Sequence, residues 1–142
     1  MGSRARAAAA GATAATVWGL AEPLDQRLLR YDYSDIALLG KAVTRGQRWR
    51  LAGFALHAVN GIAFGLVFAE LRRTASSGPL RLAVGMALAE HAALYPLNAV
   101  VDRRHPARGE PGLPPLLDSP RAFAQATWRH LLFGFVLGSL AE

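Results

Sequence analysis

Two histidines occupy matching places in a pattern that the chain uses twice. The pattern comprises His57, Gly61 and Gly65 in its first copy and His130, Gly134 and Gly138 in its second. Imidazole nitrogens can ligate haem iron or a transition metal, and glycines beside them would leave room for a flat ring. The repeated spacing therefore allows a chemical interpretation, in which His57 and His130 hold haem b or a metal ion.

The four glycines of this pattern also have a structural interpretation. Within each copy they stand four residues apart, a spacing that lets two membrane helices approach closely. The chain contains neither a Cys-x-x-Cys-His motif nor a Glu-x-x-His carboxylate motif. We therefore expect helix packing without a cofactor, and the alternative is a haem- or metal-binding membrane redox protein.

Glu90 and Arg129 are opposite charges inside apolar segments. An ionisable group at the centre of a bilayer costs about 2.5–3.5 kcal/mol, so such groups usually face inward and find partners. Counted from the ends of their segments, both residues lie near mid-bilayer. The sequence predicts an ion pair between Glu90 and Arg129, which either fixes helix register or lines a path for a proton or a substrate.

Further polar side chains accompany this pair. Four of them share one helix face at i, i+4, i+7 and i+11, namely His91, Tyr95, Asn98 and Asp102. Pro96 lies beside them and predicts a kink, because proline removes a backbone donor. Together with Asn60, they predict either a small wet cavity or a polar interior whose groups satisfy each other.

Four apolar segments must position these side chains. They cover about residues 5–24, 51–71, 82–101 and 122–141. A helix needs about 20 apolar residues to cross a bilayer. With 52% hydrophobic residues, the chain is too apolar for an ordinary small soluble domain. We predict one all-α transmembrane domain over residues 1–142, an integral membrane four-helix bundle.

The similarity of the second and fourth segments indicates an internal repeat. The bundle would then consist of two tandem helical hairpins, at about residues 7–71 and 82–142. The first segment has an alternative interpretation, because Arg4 and Arg6 before a stretch of small residues also resemble a cleavable signal peptide.

The connections between the segments differ in their predicted structure. The first contains Ile36–Val43, a short interfacial helix on the membrane surface, with Ser34 or Asp35 as its N-cap. The third, residues 103–121, is rich in proline and predicts an extended loop.

The charge balance is strongly basic, with 16 Lys+Arg against 10 Asp+Glu and a net charge of +6. The basic residues crowd the ends of the apolar segments, which is typical of loops beside anionic lipid. We therefore expect the lipid bilayer as the partner, a homo-oligomer as a further option, and no nucleic acid. The richer basic content of connections one and three favours their placement in the cytoplasm.

Enzyme signatures are missing from the sequence. It has no cysteine, no glycine-rich phosphate loop, no Gly-x-Ser-x-Gly and no His-Glu-x-x-His. We therefore predict a non-enzymatic multi-pass membrane component, or a small carrier with a polar interior.

The layout resembles a known group of proteins. Four small spans, an interfacial helix after the first, and a His-Gly-Gly second span that ends in a basic turn are similar to small uncharacterised bacterial membrane proteins of the YagU-like group. This resemblance implies a four-helix membrane fold in the bacterial plasma (inner) membrane. It implies no activity and no site residues.

Overall fold

A computed structural model describes residues 3–141, and within that range the chain is helical without a β-strand. The predicted all-α class is therefore confirmed, while residues 1, 2 and 142 of the predicted domain lie outside the described range. The helices are α1 (Ser3–Leu29), α2 (Asp35–Val43), α3 (Trp49–Arg72), α4 (Pro79–Leu94), α5 (Asn98–Arg104) and α6 (Pro120–Leu140).

The four long elements pack as two connected hairpins. Helix α1 lies along α3, and α4 lies along α6. The hairpins join through α1 and α6, whereas α3 and α4 barely touch although a short turn connects them. This arrangement leaves one side of the bundle open between α3 and α4. That one hairpin arose by duplication of the other stays a prediction.

Glycines allow the first hairpin to pack backbone against backbone. A Cβ atom on Gly61 would overlap the carbonyl oxygen of Gly11, and one on Gly65 would overlap that of Ala7. Ala15 also lies against Gly61, so small residues line both sides of the contact. The close approach of α1 and α3 therefore depends on the absence of side chains there.

The second hairpin uses its glycines in the same way. A Cβ atom on Gly134 would lie 2.7 Å from the Cα atom of Val84, and one on Gly138 would lie 2.7 Å from that of Leu80. Both distances are shorter than a carbon–carbon contact permits, so α4 sits directly on the glycine face of α6.

Pro96 breaks the third apolar segment, as its chemistry predicts. Helix α4 ends at Leu94, a 3₁₀ turn covers Tyr95–Leu97, and α5 begins at Asn98. The missing backbone donor of proline explains the break. The third segment consequently consists of α4, a 3₁₀ turn and the short helix α5.

Helix α2 begins where the sequence predicts, because the Ser34 side chain accepts a hydrogen bond from the backbone N–H of Ala37 at 3.0 Å. Its apolar face is divided, however: Ile36 is buried against α3, whereas Val43 is exposed. That α2 lies on a membrane surface stays a prediction. Packing of α2 against α3 uses part of that face.

The proline-rich third connection is ordered and is hydrogen-bonded to the first connection. Gly112 accepts a hydrogen bond from the backbone N–H of Ser34 at 2.9 Å, and its own N–H donates to Asp32 at 2.8 Å. Asp102 accepts hydrogen bonds from the backbone N–H groups of Leu116 and Leu117. The two long connections thus form one cap over the end of the bundle.

Among the described residues, α3 is the one helix that is long and apolar enough to cross a membrane by length and composition. The other long elements are less apolar for identifiable reasons. Helix α1 is rich in alanine, α4 stops before Pro96, and α6 carries Arg129 and Gln125. A bundle that crosses the bilayer four times is therefore taken up below as a proposal.

The glycine contacts give a stability prediction with a matched control. Gly61→Ala and Gly85→Ala both gain helix propensity, but only Gly61 faces a backbone, since no atom lies within 4 Å of a Cβ at Gly85. We expect Gly61→Ala to lower the free energy of unfolding by about 1–3 kcal/mol relative to Gly85→Ala. Thermal melting of the two variants in detergent measures this difference, and equal melting temperatures would contradict the packing account.

Candidate functional site

Arg129 on α6 is the largest fully buried side chain in the described range. Its Nε and Nη2 atoms donate to the two oxygens of Asp25 at 2.7 and 2.6 Å, a bidentate pair. Its Nη1 atom donates to Oδ2 of Asp35 at 2.8 Å, and Nη2 also donates to the carbonyl oxygen of Tyr33 at 2.9 Å. One guanidinium therefore connects α6 to α1, to the segment before α2, and to the start of α2.

Glu22 is the third carboxylate of this network. Its Oε1 atom lies 3.6 Å from Nη1 of Arg129. The same carboxylate accepts hydrogen bonds from the Ser34 hydroxyl at 2.6 Å and from the backbone N–H groups of Asp35 and Ile36. Glu22 thus meets the positive end of α2, which stabilises a negative charge there.

Two neutral side chains complete the network. The Nε2 group of Gln125 donates to Asp25 and to the carbonyl oxygen of Tyr31, both at 2.9 Å. The indole N–H of Trp18 donates to Asp35 at 3.0 Å. Burial alone would raise the pKa of Asp35, but the guanidinium of Arg129 lowers the pKa below its usual value. Asp35 therefore stays a carboxylate that accepts several hydrogen bonds.

The predicted Glu90–Arg129 ion pair is wrong, because the two side chains lie on different sides of α6. Arg129 faces α1 together with Gln125, whereas His130 faces α4. Consequently it is His130 that meets Glu90, with 3.8 Å between its Nε2 atom and Oε2 of Glu90. A signal for the true partners exists in the sequence, since Glu22 and Asp25 are three residues apart and share a face of α1.

A cavity of about 300 Å³ lies beside the network, where α3 and α4 stand apart. Trp18 on α1 and His130 on α6 form its floor, and Asp35 connects it to the buried charges. Its polar wall residues come from α3, from α4 and from the turn and helix that follow: His57, Asn60, Glu90, His91, Tyr95 and Asn98. Glu90, His91, Asn98, His57, Asn60 and His130, the six polar residues predicted at membrane depth beside Arg129, all line this cavity or its floor.

The remaining residues of the sequence-based set lie elsewhere. Asp102 belongs to the predicted polar face of the third segment, but it binds the backbone of the third connection instead of facing the cavity. Gly61 touches both the cavity and α1, whereas Gly65, Gly134 and Gly138 serve helix contacts. The turn at Pro96 explains why Asp102 lies apart from Tyr95, because it changes the direction of the backbone between the two residues.

Three imidazoles, one of them from the floor itself, lie close to Trp18 or to each other. The ring of Trp18 lies edge-on to His57 and His130, with centroids 5.0 and 4.7 Å apart, and His91 lies 4.8 Å from His130. His91 contacts the hydroxyl of Thr127 at 3.0 Å. The Nε2 atom of His57 is buried and has no hydrogen-bond partner within the described residues.

The alternative in which His57 and His130 hold haem b or a metal ion stays a prediction. The Trp18 ring lies against both imidazoles. Within residues 3–141, no group of three or more His, Cys, Asp or Glu side chains is arranged to hold a metal ion. The arrangement provides polar side chains around an aromatic floor.

No protein-family model, curated protein or solved structure matches this chain. The resemblance to the YagU-like group therefore stays a prediction. Function has to be inferred from the cavity and from the network beside it.

The network predicts a large loss of stability when its cation is removed. Arg129→Met keeps most of the side-chain volume but leaves Asp25, Asp35 and Glu22 without their counter-charge. We expect the free energy of unfolding to fall by about 3–5 kcal/mol, the usual effect of breaking a buried ion pair. Arg4→Met is the control, because the Arg4–Glu70 pair is exposed, and we expect its melting temperature to stay unchanged.

A second substitution identifies the partner of Arg129. Asp25→Asn removes one uncompensated charge and should restore part of the stability lost in Arg129→Met, whereas Glu90→Gln should restore none. Chemical unfolding of the two double variants provides the comparison. Rescue by Glu90→Gln alone would show that the bidentate pair with Asp25 is not the dominant interaction.

Proposed function

We propose that this chain is a non-enzymatic, multi-pass protein of the bacterial plasma membrane, with a polar interior that binds a small molecule. The observation that carries the proposal is the cavity between α3 and α4. Polar side chains line it, while many large apolar side chains are exposed on the outer surface of the bundle. A binding component or a small carrier would combine these two features.

The outer surface supports placement in a bilayer. Large apolar side chains on α3, α4, α5 and α6 are exposed, among them Leu51, Val59, Val67, Leu94, Val100, Phe123, Trp128 and Phe135. Soluble monomers rarely expose large apolar patches, and such patches usually mark a membrane or protein contact. Arg129, Glu22 and Asp25 are buried by contrast, as expected for charges at membrane depth.

The cavity lining offers polar groups that a ligand could use. Among the described residues, the carboxylate of Glu90 and the imidazole of His130 line the cavity. A few polar groups in a largely apolar lining orient a bound molecule.

The alternative with haem b or a metal at His57 and His130 has weaker support, because Trp18 contacts both rings. Visible absorption of the purified protein separates the two proposals. The binding proposal expects no Soret band. A Soret band that disappears in both His57→Ala and His130→Ala would favour the haem alternative.

Cell fractionation tests the membrane placement. We expect the protein to stay in the membrane pellet through washes with high salt and with alkaline carbonate, and to enter solution with a mild detergent. A basic protein held at the surface by charge would leave the membrane in high salt, because salt screens that attraction. Recovery in the soluble fraction without detergent would contradict the proposal.

A further inference from the structure

We infer that the cavity between α3 and α4 selects a small organic cation, a protonated amine that carries an apolar or aromatic group. This inference rests on the proposed binding function and names its ligand class. Three features support it: the sign of the charge on the cavity wall, the acceptor atoms around it, and its aromatic floor.

The charged side chains that line the cavity are acidic. Glu90 on α4 is one of them, and Asp35 at the start of α2 is the other. Asp35 also belongs to the buried network around Arg129. Within residues 3–141, no lysine or arginine side chain lines the cavity. The guanidinium of Arg129 lies behind Asp35, where three carboxylates surround it. The local electrostatic potential therefore favours a positively charged ligand.

Glu90 is available to such a ligand. Its Oε2 atom lies 3.8 Å from Nε2 of His130, which is too long for a hydrogen bond. The side chain is partly exposed, at 28% of its full surface, and therefore reaches the cavity. A protonated amine could donate to this carboxylate and form a charge-assisted hydrogen bond.

His130 offers a further acceptor atom. It holds its Nδ1 atom 2.7 Å from the carbonyl oxygen of Ala126, and because a carbonyl only accepts, this nitrogen carries the proton. The Nε2 atom of neutral His130 is then a lone-pair acceptor beside Glu90. A ligand with more than one N–H donor could bond to both the Glu90 carboxylate and this nitrogen.

The aromatic residues suit the remainder of the ligand. Trp18, Tyr95 and Phe133 line the cavity, so an apolar ring could pack there while its ammonium group meets Glu90. Faces of tryptophan and tyrosine also attract cations directly. A volume of about 300 Å³ is at the lower end for ligand pockets, which limits the ligand to a small molecule.

Calorimetric titration with three probes of one shape tests the inference. Benzylammonium, neutral benzyl alcohol and anionic benzoate are added to the full-length protein in nanodiscs of zwitterionic lipid, with empty nanodiscs as the blank. We expect benzylammonium to bind about tenfold or more tightly than benzyl alcohol, and benzoate to bind most weakly. This comparison uses the unaltered protein and so does not depend on the folding of a variant.

Two matched variants locate the charge that selects the cation. Glu90→Gln should reduce benzylammonium affinity about tenfold and bring it close to that of benzyl alcohol. Glu70→Gln removes the same charge from the C-terminal end of α3, where Glu70 pairs with Arg4 and Arg73. This variant should leave the affinity for benzylammonium unchanged. Loss of binding in both variants would overturn the assignment to Glu90.

The failures of the two proposals can be distinguished. Equal binding of benzylammonium and benzyl alcohol, or tighter binding of benzoate, would overturn the cation inference and leave a cavity that binds small molecules. Absence of binding by all three probes would overturn both the cation inference and the proposed binding function.

Discussion

A guanidinium that has lost contact with solvent must find its counter-charges and acceptors within the chain, and the rest of this structure depends on that constraint. Arg129 meets it with carboxylates from α1 and α2 and with a carbonyl oxygen from the segment between them. Removing any one of these elements would leave a charge in a medium that solvates it poorly. The network therefore holds three parts of the chain in one fixed arrangement.

The cavity takes its shape from the same network. Asp35 receives hydrogen bonds from Arg129 and from the indole N–H of Trp18, and the Trp18 ring in turn contacts both His57 and His130. Glycine contacts hold α3 close to α1 and α4 close to α6. Because α3 and α4 barely touch each other, a space remains between them. A polar cavity thus arises beside a rigid charge cluster, and this arrangement favours preorganised binding.

Features that depend on local chemistry could be predicted from the sequence, and features that depend on which helix faces meet could not. Ser34 caps α2 and Pro96 breaks the third segment, because both effects act within a few residues. The predicted partner of Arg129 is wrong, since depth along an apolar segment does not show which face of the helix a side chain occupies. One step along a helix turns a side chain by about 100°, so Arg129 and the adjacent His130 face different neighbours. The glycine spacing does predict which residue faces α4. His130, Gly134 and Gly138 share one face of α6, and that face meets α4.

The absence of cysteine allows a direct test of the claim that Arg129 holds α2 to the bundle. Spin labels on cysteines introduced at the exposed positions Val43 and Ala124 report the distance between α2 and α6. A second pair, at the exposed positions Thr16 and Val67, reports the glycine-packed first hairpin. Our account predicts that Arg129→Met broadens the α2–α6 distance distribution and leaves the α1–α3 distribution narrow. An α2–α6 distribution that is the same with and without the guanidinium would contradict it.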